Sequence, residues 1–232
     1  MEQIYTIPVN EAFEKCAMEG GCPFCVLEKQ LEDNEIELIL GASMMEPDVR
    51  RKTNEMGFCR NHFKIMFSAG KKLPLALILE SHLKEVGDSL SKPGLMPAIS
   101  GASTAKKLSN VSDSCYVCSR IEYNFTRMVD TAAYLWETDE DFRRKFKNQR
   151  CFCLPHYKKM LQYGRSGLDK KKFAEFFEVA KGIEKKYIEE LNGDISWFCK
   201  KFDYRYDNEP WGNAKDSVPR ALDFLSGGKT EK

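Results

Sequence analysis

Along most of this chain, apolar residues recur three and four positions apart, which is the spacing of one face of an α-helix. Ile121, Phe125, Met128, Ala132 and Leu135 trace one such face after Cys118, and Phe173, Phe176, Phe177, Ala180, Ile183, Tyr187 and Leu191 trace another. The pattern predicts an all-α protein. Asn10 is placed to cap a first short helix reaching about Met18, and Gly20-Gly21 to turn the chain. A long helix should follow Cys25 and end near Gly41. Glu46-Pro47-Asp48 should open another, because proline and acids suit a first helical turn, and that helix should close before Gly57. The run LPLALILESHLKEV is apolar on most sides and predicts a central, buried helix. Thr138, with Asp141 three residues on, predicts the cap of a short helix. Gly70 and Gly164 stand where the helices begun by HFKIMFSAG and HYKKMLQYG would stop.

From about Ser91 to Ser112 the chain is rich in Ser, Gly, Pro and Ala and lacks helical periodicity, so it reads as a linker. The organisation expected is a first helical unit over 1–92, a linker over 93–112, a second helical unit over 113–192 and an aromatic-rich tail with a short helix over 193–232.

Composition narrows the function classes. A chain of 232 residues with 42% hydrophobic and 12% aromatic content can bury a core. Lys and Arg number 36 against 35 Asp and Glu, a net charge of +1, so no global field draws in nucleic acid or an anionic membrane. The N-terminal stretch MEQIYTIPVNEAFEKC lacks a basic segment followed by an apolar run, and no run of about 18 apolar residues follows. These features lead to the expectation of a soluble, cytoplasmic protein with neither a nucleic-acid nor a membrane partner.

Nine cysteines without an export signal direct attention to their spacing rather than to disulfides. Four motifs stand out: Cys22-Pro-Phe-Cys25, Cys59-Arg-Asn-His62, Cys115-Tyr-Val-Cys118 and Cys153-Leu-Pro-His156. They use six cysteines and two of the three histidines, leaving Cys16, Cys151 and Cys199 without an assigned role. The two CxxC pairs lie 93 residues apart and the two CxxH pairs 94 apart, the mark of a duplicated element. Flanking residues keep the CxxH register: Asn54 matches Asn148, Phe58 matches Phe152, Phe63 matches Tyr157 and Met66 matches Met160.

Read in chain order, each unit supplies three thiols and an imidazole, the ligand set of a closed tetrahedral zinc site. The expected metal ligands are therefore Cys22, Cys25, Cys59 and His62 around one ion, with Cys115, Cys118, Cys153 and His156 around a second. All four pairs fall near predicted helix N-termini, where unpaired N–H groups and the helix dipole favour thiolate. Rival readings are chance CxxC pairs acting as small buried apolar residues, an iron–sulfur cluster on the same ligands, and dithiol redox chemistry at the Cys22–Cys25 pair. No βαβ pattern surrounds that pair, and Cys115-Tyr-Val-Cys118 lacks its proline.

Other features read as structural. His82 is a lone histidine on an apolar helix, Lys170, Lys171 and Lys172 form a solvated face, and the aromatic tail SWFCKKFDYRYDNEPWGN is expected to pin itself across helices.

The segments TIPVNEAFEK, CPFC, LGASMMEPDVR, NEMGFCRNHF, LPLALIL, FCLPHY and KFDYRYDNEPWGN together resemble an uncharacterised domain-of-unknown-function family of anaerobic Gram-positive bacteria with paired CPFC and GFCxxH motifs. The resemblance implies metal-ligand roles for Cys22, Cys25, Cys59 and His62 and brings no activity with it. The chain departs from the motif at Cys151-Phe-Cys153, where the first copy has Gly57-Phe-Cys59. The functional expectation is a non-catalytic structural or interaction scaffold holding two zinc ions, with a protein or small-molecule partner of unspecified identity and no catalytic residues. The alternative is an iron–sulfur or dithiol redox protein using the same cysteines.

Overall fold

The computed structural model describes residues 3–91 and 97–228, and among them it is helical with no strand. Five helices precede the break: α1 (Thr6–Glu19), α2 (Pro23–Ile39), α3 (Pro47–Met56), α4 (Arg60–Ser68) and α5 (Lys72–Ser91). Six follow it: α6 (Pro97–Asp113), α7 (Tyr116–Thr138), α8 (Glu140–Lys147), α9 (Leu154–Gly167), α10 (Lys170–Lys200) and α11 (Ser217–Ser226). No helix among the described residues is long and apolar enough to cross a membrane.

The chain forms two compact units that do not follow its linear order. One unit joins the residues up to Lys29 with those from Phe125 onward; the other runs from Gln30 to Asn124. Helices α2 and α7 each contribute to both.

Aromatic rings dominate the core of the first unit. Phe13, Phe24, Phe142, Phe146 and Phe152 are fully buried. Phe146 meets Trp136, Phe152 and Phe176 at centroid separations of 4.9, 5.0 and 5.1 Å, within the range where tilted aromatic pairs attract. These rings come from α7, α8, the α8–α9 turn and α10, so one cluster fastens the elements that present Cys153 and His156. In the second unit Ile39, Leu40, Met66, Ile78 and Val117 form the core, with Phe58 and Cys115 packed among them.

Several expectations are corrected by the observed helices. The Ser/Gly/Pro/Ala stretch read as a linker without helix is α6 over Pro97–Asp113, and it packs on α3 and α5; its first few residues, 92–96, lie outside the described residues. Small residues weaken the periodic signal but do not forbid a helix once neighbours cover it. Asn10 lies inside α1, where its Nδ2 donates to the carbonyl of Thr6. Asp139, not Thr138, caps α8 by accepting the N–H groups of Asp141 and Phe142, and Asp169 caps α10 in the same way. Helix α5 is only half covered: Leu75, Ile78 and His82 are buried while Leu73 and Leu83 are exposed. Gly164 lies within α9, where a Cβ would stand 3.4 Å from the Phe176 ring.

The difference between Gly57 and Cys151 has a backbone cause. Gly57 adopts φ of +62°, and a Cβ there would lie 2.7 Å from the Val111 carbonyl oxygen and 3.3 Å from His82. Only glycine meets both demands. Its counterpart Cys151 has no positive φ and packs among Tyr187, Leu191 and Phe224. Cys151 is thus a core residue and no ligand, and burial pushes its thiol up to about 12.

The segment after α10 folds back on it, and α11 packs on α9 and α10. Lys201 is buried, and its Nζ donates to the carbonyls of Tyr206, Asp207 and Glu209, while Trp197 Nε1 donates to Pro210. Phe202 and Tyr204 stay exposed.

The aromatic cluster yields a stability test. Phe146→Ala removes a fully buried ring and should cost about 3–5 kcal/mol in urea unfolding, whereas Phe202→Ala, at an exposed ring, should change stability by less than about 0.5 kcal/mol.

Candidate metal centre

The structure gathers all eight expected ligands, but in exchanged pairs. One set is Cys22, Cys25, Cys153 and His156; the other is Cys59, His62, Cys115 and Cys118. Within each set the four donor atoms lie within 4.8 Å of one another. The expected grouping of Cys22 and Cys25 with Cys59 and His62 is therefore corrected: each CxxC closes with the CxxH of the other copy. Each set lies wholly within one compact unit, the first in the discontinuous unit and the second in the unit from Gln30 to Asn124.

The ligand pairs are built alike. Cys22 and Cys115 stand immediately before α2 and α7, and Cys25 and Cys118 follow in the first turn. Cys59 and Cys153 are the N-cap residues of α4 and α9, both in extended conformation, and His62 and His156 lie three residues later. Neither cap cysteine uses its side chain to cap the backbone of its own helix, so each sulfur is free to turn toward the centre. The expectation of four pairs at helix N-termini holds, and every thiol faces the positive end of a helix.

The separations come within a few tenths of an ångström of those of a tetrahedron. With metal–sulfur bonds of about 2.3 Å and metal–nitrogen bonds of about 2.0–2.1 Å, tetrahedral ligands stand about 3.5–3.8 Å apart. In the first centre Cys25 and Cys153 sulfurs are 3.5 Å apart, and His156 Nδ1 lies 3.8, 3.3 and 3.1 Å from the sulfurs of Cys22, Cys25 and Cys153. In the second, Cys59 and Cys118 sulfurs are 3.9 Å apart, and His62 Nδ1 lies 3.2, 3.2 and 3.4 Å from Cys59, Cys115 and Cys118. Each donor set thus surrounds room for one ion.

Both histidines turn Nδ1 inward and hold a glutamate with Nε2. His156 Nε2 is 3.2 Å from Glu28, and His62 Nε2 is 3.2 Å from Glu32. A carboxylate behind a ligating imidazole fixes its ring and tautomer and makes it a better donor. Sequence reading missed both acids. The signal was present, since Glu28 and Glu32 follow Cys25 by three and seven residues on α2, one helical face. The duplication hid it, because the corresponding positions on α7 are Ile121 and Phe125.

Electrostatics agree with a cation-seeking site. Burial opposes charge on His62, yet its contacts with Cys115 and Glu32 raise it to about 10; His156 rises to about 11 through Cys153, Cys25 and Glu28 against the same opposition. Burial works against a thiolate at Cys115 as well, but His62 and nearby backbone N–H groups bring it down to about 6. Contacts with Cys153 and Cys22 hold the Cys25 thiol far below the usual range. Burial and neighbouring thiols push Cys22 up, and they push Cys118 up to about 12. Crowded sulfurs thus draw positive charge to one point in each set. A divalent cation there would take the place of protons, so its binding and proton release would be linked.

The first centre sits beside the aromatic core: the His156 ring lies 4.9 Å from that of Phe125, and Lys159 spans from Phe125 to Glu28. The Phe152 N–H, next to Cys153, donates to Glu184 at 2.7 Å. His82 is buried against Gly57 and lies outside both sets.

Residues 1–232 match the family described as "Family of unknown function (DUF6062)". The chain belongs to that family. No curated protein and no solved structure matches it.

Two outcomes check this geometry. Cys59→Ser should lower bound metal from two ions toward one and leave Cys115 and Cys118 open to alkylation while Cys22 and Cys25 stay protected; the reverse labelling would restore the chain-order grouping. The second concerns Glu184, whose pKa burial raises from 4.5 to about 7. A carboxyl raised in the folded state favours folding below 4.5 and loses that contribution as pH climbs through 7. Glu184→Gln should therefore raise Tm relative to the parent at pH 8, with the gap closing toward pH 5.

Proposed function

We propose that the protein is a zinc-stabilised, non-catalytic scaffold in which each cation fastens helices that the chain order keeps apart. The observation that carries this reading is the closed donor set. Three sulfurs and one nitrogen occupy all four corners of each tetrahedron, leaving none for the water or substrate that a catalytic zinc requires. The glutamate behind each histidine adds rigidity rather than reactivity.

Zinc is favoured by the donors: three thiolates and an imidazole at near-tetrahedral spacing suit it, and a net charge of about −1 on each loaded site is eased by two helix N-termini. An iron–sulfur cluster fits less well, because several irons and sulfides need ligands spread around a larger body than atoms within 4.8 Å of one another enclose. Dithiol cycling of Cys22 and Cys25 would break a set that Cys153 and His156 complete.

No feature of the first unit's groove adds chemistry. This cleft of about 400 Å³ is lined by Lys147, Arg150, Lys186, Tyr187 and Glu190, and the Arg150 guanidinium already pairs with Glu190 at 2.6 Å. A partner protein or ligand is part of the proposal as a scaffold's purpose; its identity is left to experiment. The near-neutral charge argues against nucleic acid.

Elemental analysis of protein purified without added metal should give two zinc ions per chain. Stripping them with a strong chelator should lower Tm and loosen near-UV circular dichroism, with recovery on re-addition, because metal binding and folding share one free energy. Brown protein containing iron and sulfide, or a metal-free chain that melts unchanged, would contradict the reading.

A further inference from the structure

We propose that the second centre is a hydroperoxide-reactive metal–thiolate site, at which Cys118 and Cys59 are oxidised to a disulfide and the cation is released while the first centre keeps its own. This rests on the metal-bound reading of both centres and adds the reagent class that acts on one of them.

The two donor sets are of the same residue types, so a difference in reactivity comes from what surrounds them: solvent access and the hydrogen bonds made to the sulfurs. In the first centre Cys22, Cys153 and His156 are 7%, 2% and 3% exposed. Its least covered ligand, Cys25, accepts the Gly228 N–H at 3.3 Å. That bond draws electron density from the sulfur and sets the turn after α11 against it. The same turn covers Cys153: Gly227 has φ of +79°, and a Cβ there would lie 3.5 Å from Cys153 Sγ. The segment after α11 therefore lies over two of the three sulfurs.

The second centre is arranged otherwise. Cys118 is exposed and Cys59 half-buried, in contrast to the buried Cys115 and His62. A peroxide can thus approach Cys118 from solvent without disturbing a core. A second thiolate, that of Cys59, stands 3.9 Å away, close enough to resolve an oxidised neighbour. Susceptibility of thiolates follows exposure together with a poised resolving cysteine, and both occur only a few ångströms apart here.

The steps balance. The Cys118 thiolate attacks one peroxide oxygen, the O–O bond breaks, and sulfenic acid and hydroxide form. The Cys59 thiolate then attacks the sulfenic sulfur, the S–O bond breaks, a second hydroxide leaves and the S–S bond forms. Two thiolates lose two electrons, the peroxide gains them, and both hydroxides are protonated to water by solvent. The cation, left with Cys115 and His62 alone, dissociates.

The test uses the full-length chain as isolated, with bound zinc counted first. It is treated with hydrogen peroxide in the presence of a chromogenic zinc chelator, and its cysteines are mapped by differential alkylation and mass spectrometry, with exposed Cys199 as the solvent-thiol reference. The expected result is release of one of two ions, at least about tenfold faster than the second, with a Cys59–Cys118 cross-linked peptide that a thiol reductant reverses. Equal release from both centres, earlier loss from the first, or a Cys118 sulfinate with both ions retained would overturn the proposal while leaving the scaffold reading intact. A chain isolated without any metal would instead overturn the scaffold reading and the release step with it.

Discussion

Three thiolates and one imidazole must converge on a point a few ångströms wide, and in this chain that convergence joins residues as far apart as Cys22 and His156, 134 positions away. Everything else in the fold serves that requirement. Helix N-termini deliver the sulfurs, N-cap conformations at Cys59 and Cys153 aim them, and glutamates on α2 hold the two imidazoles. The aromatic cluster of the first unit and the aliphatic cluster of the second then hold those termini in register. A cation held at each centre would fasten the chain as a cross-link does, since metal binding and folding share one free energy.

The exchange of partners would give an ion at either centre its structural weight. Had each copy closed on itself, each ion would fasten one local hairpin of helices. With the pairs exchanged, the first centre ties the early chain to a region beyond α7, and the second ties α4 to the start of α7. The two CxxH segments also differ where their surroundings differ. Gly57 keeps a positive φ beside His82 and the Val111 carbonyl, while Cys151 fills a core position beside Tyr187.

Much of this was legible in the sequence. The period of apolar residues gives the helices, and the two-residue spacing within each motif gives the eight ligands and their place at helix starts. The grouping was not legible, because equal intervals of 93 and 94 fit either pairing. Chain entropy offers little guidance: closing a loop of 128 residues rather than 34 costs only about 1 kcal/mol more, which packing easily outweighs. Helix α6 escaped notice because Ser, Gly and Ala carry weak periodicity, and its packing on α3 and α5 supplies what propensity lacks. Glu28 and Glu32 escaped because attention to the repeat favours residues present twice, and these are present once. The Gly228 contact with Cys25 spans 203 positions, and no local pattern encodes it.

Anomalous diffraction at the zinc edge from crystals of the protein as purified tests the central claim most directly. The account predicts two peaks, one enclosed by Cys22, Cys25, Cys153 and His156 and the other by Cys59, His62, Cys115 and Cys118. A peak lying among Cys22, Cys25, Cys59 and His62, or no peak at either set, would contradict it.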